Sequence, residues 1–357
     1  MSKYYLPVLI SLMLLSSILE HTLFFGYEFL LILPRYKTKV HYFRYCWNLD
    51  QGLNLNIDFQ YRMNSSFPPC DFTPVKYNPN STPRDLFISY AFRSFKNIAF
   101  LSRTFRHTGT KASAVIFVDN DAYYGMPEDT RKLIHNCGVT LINVGRIPYS
   151  GRSNYYISAF MYMVDFLRLN GHKINRVIKS DGFDTFFQGD PFIERFKGDT
   201  FMIFDERFYL GGCHINKGWI ERYGYKVTQK DSPYAFKSGG YTAGSVDIFI
   251  DVYNLFLSYI IPDGSYTDQG AFNYFFLDGI FDKNYIPAIE QRGPNNIYVR
   301  HMSRDKYREY EILGNYTTSY NRSLHVLAVH NTYHANNIKK YCPPPPGDFR
   351  GYINVVT

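Results

Sequence analysis

Apolar residues along this chain fall into two rhythms. Short, nearly continuous apolar runs occupy 86–90, 114–118, 139–144 and 174–178. Between them, at 98–106, 127–136 and 153–169, apolar residues recur every three or four positions. A short run bounded by turn-forming residues predicts a buried strand, and the longer spacing predicts a helix with one apolar face. The longest such helix carries Ile157, Phe160, Met161, Val164 and Leu167 at helical spacing and stops at Gly171. The helix over 127–136 has Glu128 and Asp129 in its first turn, where carboxylates suit the macrodipole. Strand and helix alternate, so the pattern predicts an α/β fold with a mostly parallel sheet and helices on both faces.

Further on, 200–204 reads as a strand ending at Asp205 and Glu206, and a looped region runs from Gly211 to Lys237. A glycine-rich segment, 239–245, then leads into an apolar helix over 246–261. Thr267, Asp268 and Gln269 cap a helix over 270–277, and 326–329 is a late strand ending at His330. No internal repeat is visible.

The two ends follow other patterns. Residues 4–19 are almost wholly apolar after Lys3, Glu20 and His21 interrupt, and 23–33 is apolar again. The first run has the length of a signal-peptide core and is short for a span of about 20 residues. Lys3 and Glu20 favour a cytoplasmic N-terminus, whereas Arg35, Lys37 and Lys39 argue the opposite. Residues 1–34 therefore read as an uncleaved signal-anchor or a cleaved signal peptide. Residues 35–84, rich in Asn, Tyr and Pro, read as a stem or irregular extension, 85–340 as the globular domain, and 341–357 as a Pro-rich tail acting as a spacer.

Chemistry concentrates after the 174–178 run. Asp181 and Asp184 follow it directly, with Gly182 between them. In open α/β sheets ligands bind beyond the carboxyl ends of the strands. Two carboxylates there suit a hard divalent cation, which takes oxygen ligands and substrate phosphates. Taken alone, the pair reads better as a turn cap at Asp181 and a solvent-facing side chain at Asp184. The wider stretch, Ser180-Asp181-Gly182-Phe183-Asp184-Thr185-Phe186-Phe187-Gln188 and Asp190-Pro191-Phe192, resembles the metal-binding segment of nucleotide-sugar glycosyltransferases with the A-type, Rossmann-like fold. Relatives of that kind often carry Arg where this chain has Phe183. The resemblance covers roughly 85–334, loosely outside the motif.

That resemblance implies Mn2+ (or Mg2+) held by Asp181 and Asp184, with Asp184 the direct ligand and Asp181 on the metal or on sugar hydroxyls. It implies His330 as a third ligand, with His334 as a fallback, since a C-terminal His completes the metal shell or touches the diphosphate in such enzymes. Thr242, Ala243 and Gly244 resemble a segment beside the donor sugar, although Thr242 stands where Asn is more common. Asp268 and Gln269 resemble an Asp-Gln pair at the reacting sugar, where Asp268 would accept the acceptor hydroxyl's proton or hold a sugar hydroxyl. Arg152 would bind the donor diphosphate. Asp119 and Asp205, also at strand ends, are substitutes should the strand order differ. The implied partners are a UDP- or GDP-sugar donor and a glycan or glycoprotein acceptor.

Composition narrows this reading modestly. A chain of 357 residues suits one large α/β domain with insertions. The net charge of +8 is spread along the chain without a Lys/Arg block, which argues against a nucleic-acid groove while favouring anionic nucleotide-sugars. The five cysteines lack metal-type spacing, so zinc is disfavoured, and Cys46–Cys70 is the local disulfide guess. Asn64, Asn80, Asn315 and Asn321 begin glycosylation sequons. The expected location is the Golgi or endoplasmic reticulum membrane with a luminal enzyme, or secretion. No nucleophile elbow, Walker loop or His-Glu-x-x-His segment is present. A carbohydrate-binding protein without turnover and a metal-dependent phosphoesterase are the other readings.

Overall fold

Among the described residues, six parallel strands and one antiparallel strand form the main sheet, with Val139–Asn143, Ser113–Val118, Asp85–Ala91, Arg176–Ser180, Ala235–Ser245, Phe201–Tyr209 and Ala288–Gln291 side by side in that order. The computed structural model describes residues 67–147, 152–259, 267–291, 297–301, 312–313, 316–317, 324–330 and 341–343. The first half is the alternating pattern itself: β1 (Asp85–Ala91), α1 (Ile98–His107), β2 (Ser113–Val118), α2 (Asn120–Gly125), α3 (Glu128–Asn136), β3 (Val139–Asn143), α4 (Arg152–Asn170) and β4 (Arg176–Ser180). Strands β1 to β4 pair in parallel. Then come β5 (Phe186–Phe187), β6 (Phe201–Tyr209), α5 (His214–Glu221), β7 (Ala235–Ser245), α6 (Val246–Ser258), α7 (Asp268–Leu277), α8 (Ile280–Lys283) and β8 (Ala288–Gln291). Strand β7 runs antiparallel between β4 and β6, and β8 pairs in parallel with β6. A second sheet joins β5, β12 (Ala328–His330) and β9 (Val299–His301), and β10 (Ile312–Leu313) pairs with β11 (Tyr316–Thr317).

The strands are apolar on both faces because both faces are covered. Leu86, Ile88 and Tyr90 of β1 pack on one side with Phe160 and Val164 of α4 and Tyr253 and Phe256 of α6. Phe87 and Ala91, one residue out of phase, pack on the other side with Ile98, Leu101 and Phe105 of α1. A period of two divides each strand between two cores, which is why parallel strands read as continuous apolar runs.

The expected mostly parallel sheet is present. Residues 211–237, read as looped, contain α5 and the start of β7, and the glycine-rich segment 239–245 is the end of β7 itself, directly before α6. Two other expectations change at the ends. Cys70 bonds to Cys342, across 272 residues, and not to Cys46. Tyr341–Pro343 are therefore attached to the domain: the Asp71 amide donates to the Tyr341 carbonyl at 2.6 Å, and the Arg103 guanidinium holds the carbonyls of Pro68, Pro69 and Pro343. Residues 67–84 also pack on it, with bridges Val75–Gly189 and Pro79–Ile193 and with Phe67, Val75 and Tyr77 against the core. Residues 1–34 lie outside the described part, and no described helix is long and apolar enough to cross a membrane.

Candidate metal centre

The chain leaves β1 toward β2 and β3 on one side and returns through β4 on the other, so strand order reverses between β1 and β4. A crevice opens at such a reversal, at the carboxyl ends of the strands. Asp181 is the first residue after β4, and its backbone amide donates to the Gly240 carbonyl of β7 at 3.0 Å. Asp184 lies two residues before β5. Strand β12 pairs antiparallel with β5, Ala328 opposite Phe187 and Val329 opposite Phe186, so the next residue, His330, arrives beside the start of β5.

The three side chains meet. His330 Nε2 is 3.3 Å from Asp181 Oδ2 and 3.3 Å from Asp184 Oδ1. One donor atom from each lies within 4.8 Å of the others, an arrangement that can hold a metal ion. Asp184 and His330 are buried and Asp181 is partly open. Asp184 Oδ1 is a buried acceptor that takes no well-formed hydrogen bond, and burying such an atom is costly unless a cation or donor satisfies it. Two carboxylate oxygens and an imidazole nitrogen fit a divalent first-row ion.

Electrostatics follow from the crowding. Burial alone would lower the His330 pKa, but the carboxylates of Asp184 and Asp181 outweigh it and raise it to about 10. Burial alone would raise the Asp181 pKa, but Lys179 and His330 outweigh it and hold that carboxyl well below the usual range. Lys179, the wholly buried fourth residue of β4, places Nζ 3.0 Å from Asp181 Oδ1, 2.7 Å from the Gly239 carbonyl and 3.5 Å from Asp268 Oδ2. Its own pKa is raised because Asp181 and Asp268 outweigh burial. Asp268 shifts upward, chiefly through burial, which Lys179 only partly offsets.

The structure thus brings together Asp181, Asp184, His330 and, through Lys179, Asp268. It does not gather the other candidates. Thr242, Ala243 and Gly244 sit in the ladder of β7 opposite Lys179, Ile178 and Val177; Thr242 and Ala243 are buried, and the Thr242 hydroxyl is 3.3 Å from that of Tyr253. Two glycines upstream take the place near the site instead: a Cβ on Gly240 would fall 2.1 Å from His330 Nε2, and one on Gly239 would fall 2.6 Å from Asp268 Cγ. Gln269 turns its amide to Asn216 of α5, at 2.8 Å. Arg152 is the first residue of α4, with its side chain outside the described part, as is His334. Asp119 caps α2 through the Ala122 amide and accepts from the Arg93 amide, both at 2.9 Å, and Asp205 lies in β6 opposite Lys237. Sequence reasoning missed Lys179 and the two glycines. The available signal for the glycines was their pairing as a double glycine, whereas Lys179 simply follows the 174–178 run.

Much of the motif around the pair builds the fold. Gln188 donates to the Val326 carbonyl at 2.7 Å and ties β5 to the segment before β12. Asp190 accepts from Ser81 Oγ and from the Phe192 amide. Phe192 and Phe196 flank the Arg176 guanidinium, each ring centre 5.5 Å away, while Arg176 grips Asp85 with two hydrogen bonds of 2.7 and 2.8 Å.

No protein-family model and no curated protein sequence matches this chain. Its functional reading therefore rests on its own residues.

Proposed function

We propose that the chain is a metal-dependent glycosyltransferase, moving a sugar from a nucleotide-diphosphate donor to a hydroxyl acceptor. The observation that carries this reading is the Asp181–Asp184–His330 group at the strand-order reversal of a parallel sheet. A sugar leaving group that departs as a nucleoside diphosphate needs its charge neutralised without a proton. A divalent ion, Mn2+ or Mg2+, supplies that neutralisation and orients the diphosphate when bound. Asp181, Asp184 and His330 would hold the ion. Asp268, buried one contact away through Lys179, would face the acceptor as base or sugar-hydroxyl ligand. The net charge of +8 favours approach of an anionic donor. The Cys70–Cys342 disulfide supports an oxidising compartment, in keeping with a luminal or secreted enzyme and a glycan or glycoprotein acceptor.

The test is slow hydrolysis of UDP- and GDP-sugars by the purified protein. Activity that requires Mn2+ and is lost in Asp184→Asn supports the reading. Glycan binding indifferent to both Mn2+ and Asp184→Asn overturns it in favour of a binding protein without turnover.

A further inference from the structure

Building on the metal-site reading, we propose that Lys179 is a positioning residue that joins the metal centre to Asp268, making cation binding at Asp181 and the placement of Asp268 one linked event. Lys179 is wholly buried, and its ammonium lies between carboxylates from elements far apart in sequence, Asp181 after β4 and Asp268 at the start of α7. By taking Asp181 Oδ1 at 3.0 Å, it leaves Oδ2 turned toward His330, so Lys179 selects the single oxygen that faces the metal position. On its other side it holds Asp268 Oδ2, while Asp268 Oδ1 accepts from the Gln269 amide at 2.7 Å. The Gly239 carbonyl fixes the ammonium from below, and the missing side chain of Gly239 lets the Asp268 carboxylate press against that same backbone.

Packing does not demand charges here, since a buried ionic group replaced as a whole by apolar residues of similar volume often loses no stability. A charge shared between two carboxylates does something packing cannot. A cation arriving at Asp181 Oδ2 repels the ammonium and competes for Asp181, which shifts the hold of Lys179 toward Asp268. The residue proposed to face the acceptor is thereby fixed when the metal is in place.

A double-mutant cycle tests this with Mn2+ alone as the probe, titrated calorimetrically into the full chain, Lys179→Met, Asp268→Asn and the double variant. In the otherwise unchanged chain Asp268→Asn weakens Mn2+ binding about fivefold or more, because Lys179 then pairs with Asp181 only. In the Lys179→Met background the same change shifts affinity by less than about twofold. Equal factors in the two backgrounds overturn the proposal. A second readout covers poor folding: Lys179→Met lowers the metal-free melting temperature by leaving two carboxylates face to face, and adding Asp268→Asn recovers part of the loss. Absence of recovery also overturns it. Failure of the unaltered chain to bind Mn2+ overturns the metal reading together with this inference, whereas binding with additive variants overturns the inference alone.

Discussion

Gly240 has no side chain because the His330 ring occupies the space a Cβ would need, 2.1 Å from its Cε1 and Nε2. In Gly240→Ala the ring must move, and a displaced metal-ligating imidazole costs about 10–100-fold in metal affinity. Equilibrium titration with Mn2+ measures that loss, while Gly212→Ala, where a Cβ meets nothing within 4 Å, leaves affinity unchanged. His330 also gives the metal-free protein a definite pH response. Its folded pKa is raised to about 10 from an ordinary 6.5, so its pairing with Asp184 and Asp181 stabilises fully below about pH 6.5 and is lost as pH rises through about 10. In chelator, the melting temperature should fall between pH 7 and 10, with a shallower fall in His330→Gln. Equal slopes would contradict the assigned contacts.

At the scale of elements, the strand that carries the site floor was hidden in the sequence for a physical reason. Ser238-Gly239-Gly240-Tyr241-Thr242-Ala243-Gly244 reads as the lead-in to a helix and not as a strand, because glycine weakens a strand. Here glycines sit in β7 because His330 and Asp268 press against its backbone, so the feature that obscured the strand is the one the site requires. Strands β1, β2 and β4 and helix α4 were legible because their apolar spacing is undisturbed by such contacts. The Asp181–Asp184 pair was legible through its motif, and His330 through its strand-end position. Lys179 was not, because nothing local distinguishes a buried lysine from an edge residue of a strand. The Asp190-Pro191-Phe192 end of the motif does structural work around Arg176. Asp85→Ala leaves that guanidinium buried without its bidentate partner and should cost about 3–5 kcal/mol in urea unfolding. A loss below about 1 kcal/mol, the range of exposed pairs, would contradict the assigned role.

Across the whole molecule, residues 68–71 and 341–343 are gathered over α1. The Cys70–Cys342 bond and the Arg103 grip on Pro68, Pro69 and Pro343 draw these two segments together. Sequence distance concealed this, since a pairing 272 residues apart leaves no local trace and connectivity cannot be deduced from spacing. Removing a disulfide of this kind typically costs about 2–5 kcal/mol, so Cys342→Ser should melt well below the unaltered chain under non-reducing conditions. Peptide mapping without reductant should recover the 70–342 link, and a 46–70 link would contradict the structure. A working metal centre requires Asp181, Asp184 and His330, gathered beyond the carboxyl end of β4, to share one ion. Its most direct test is calorimetric titration of the purified protein with Mn2+. One site per chain, weakened at least tenfold in both Asp184→Asn and His330→Gln, is the predicted result; no binding, or binding indifferent to both substitutions, would contradict it.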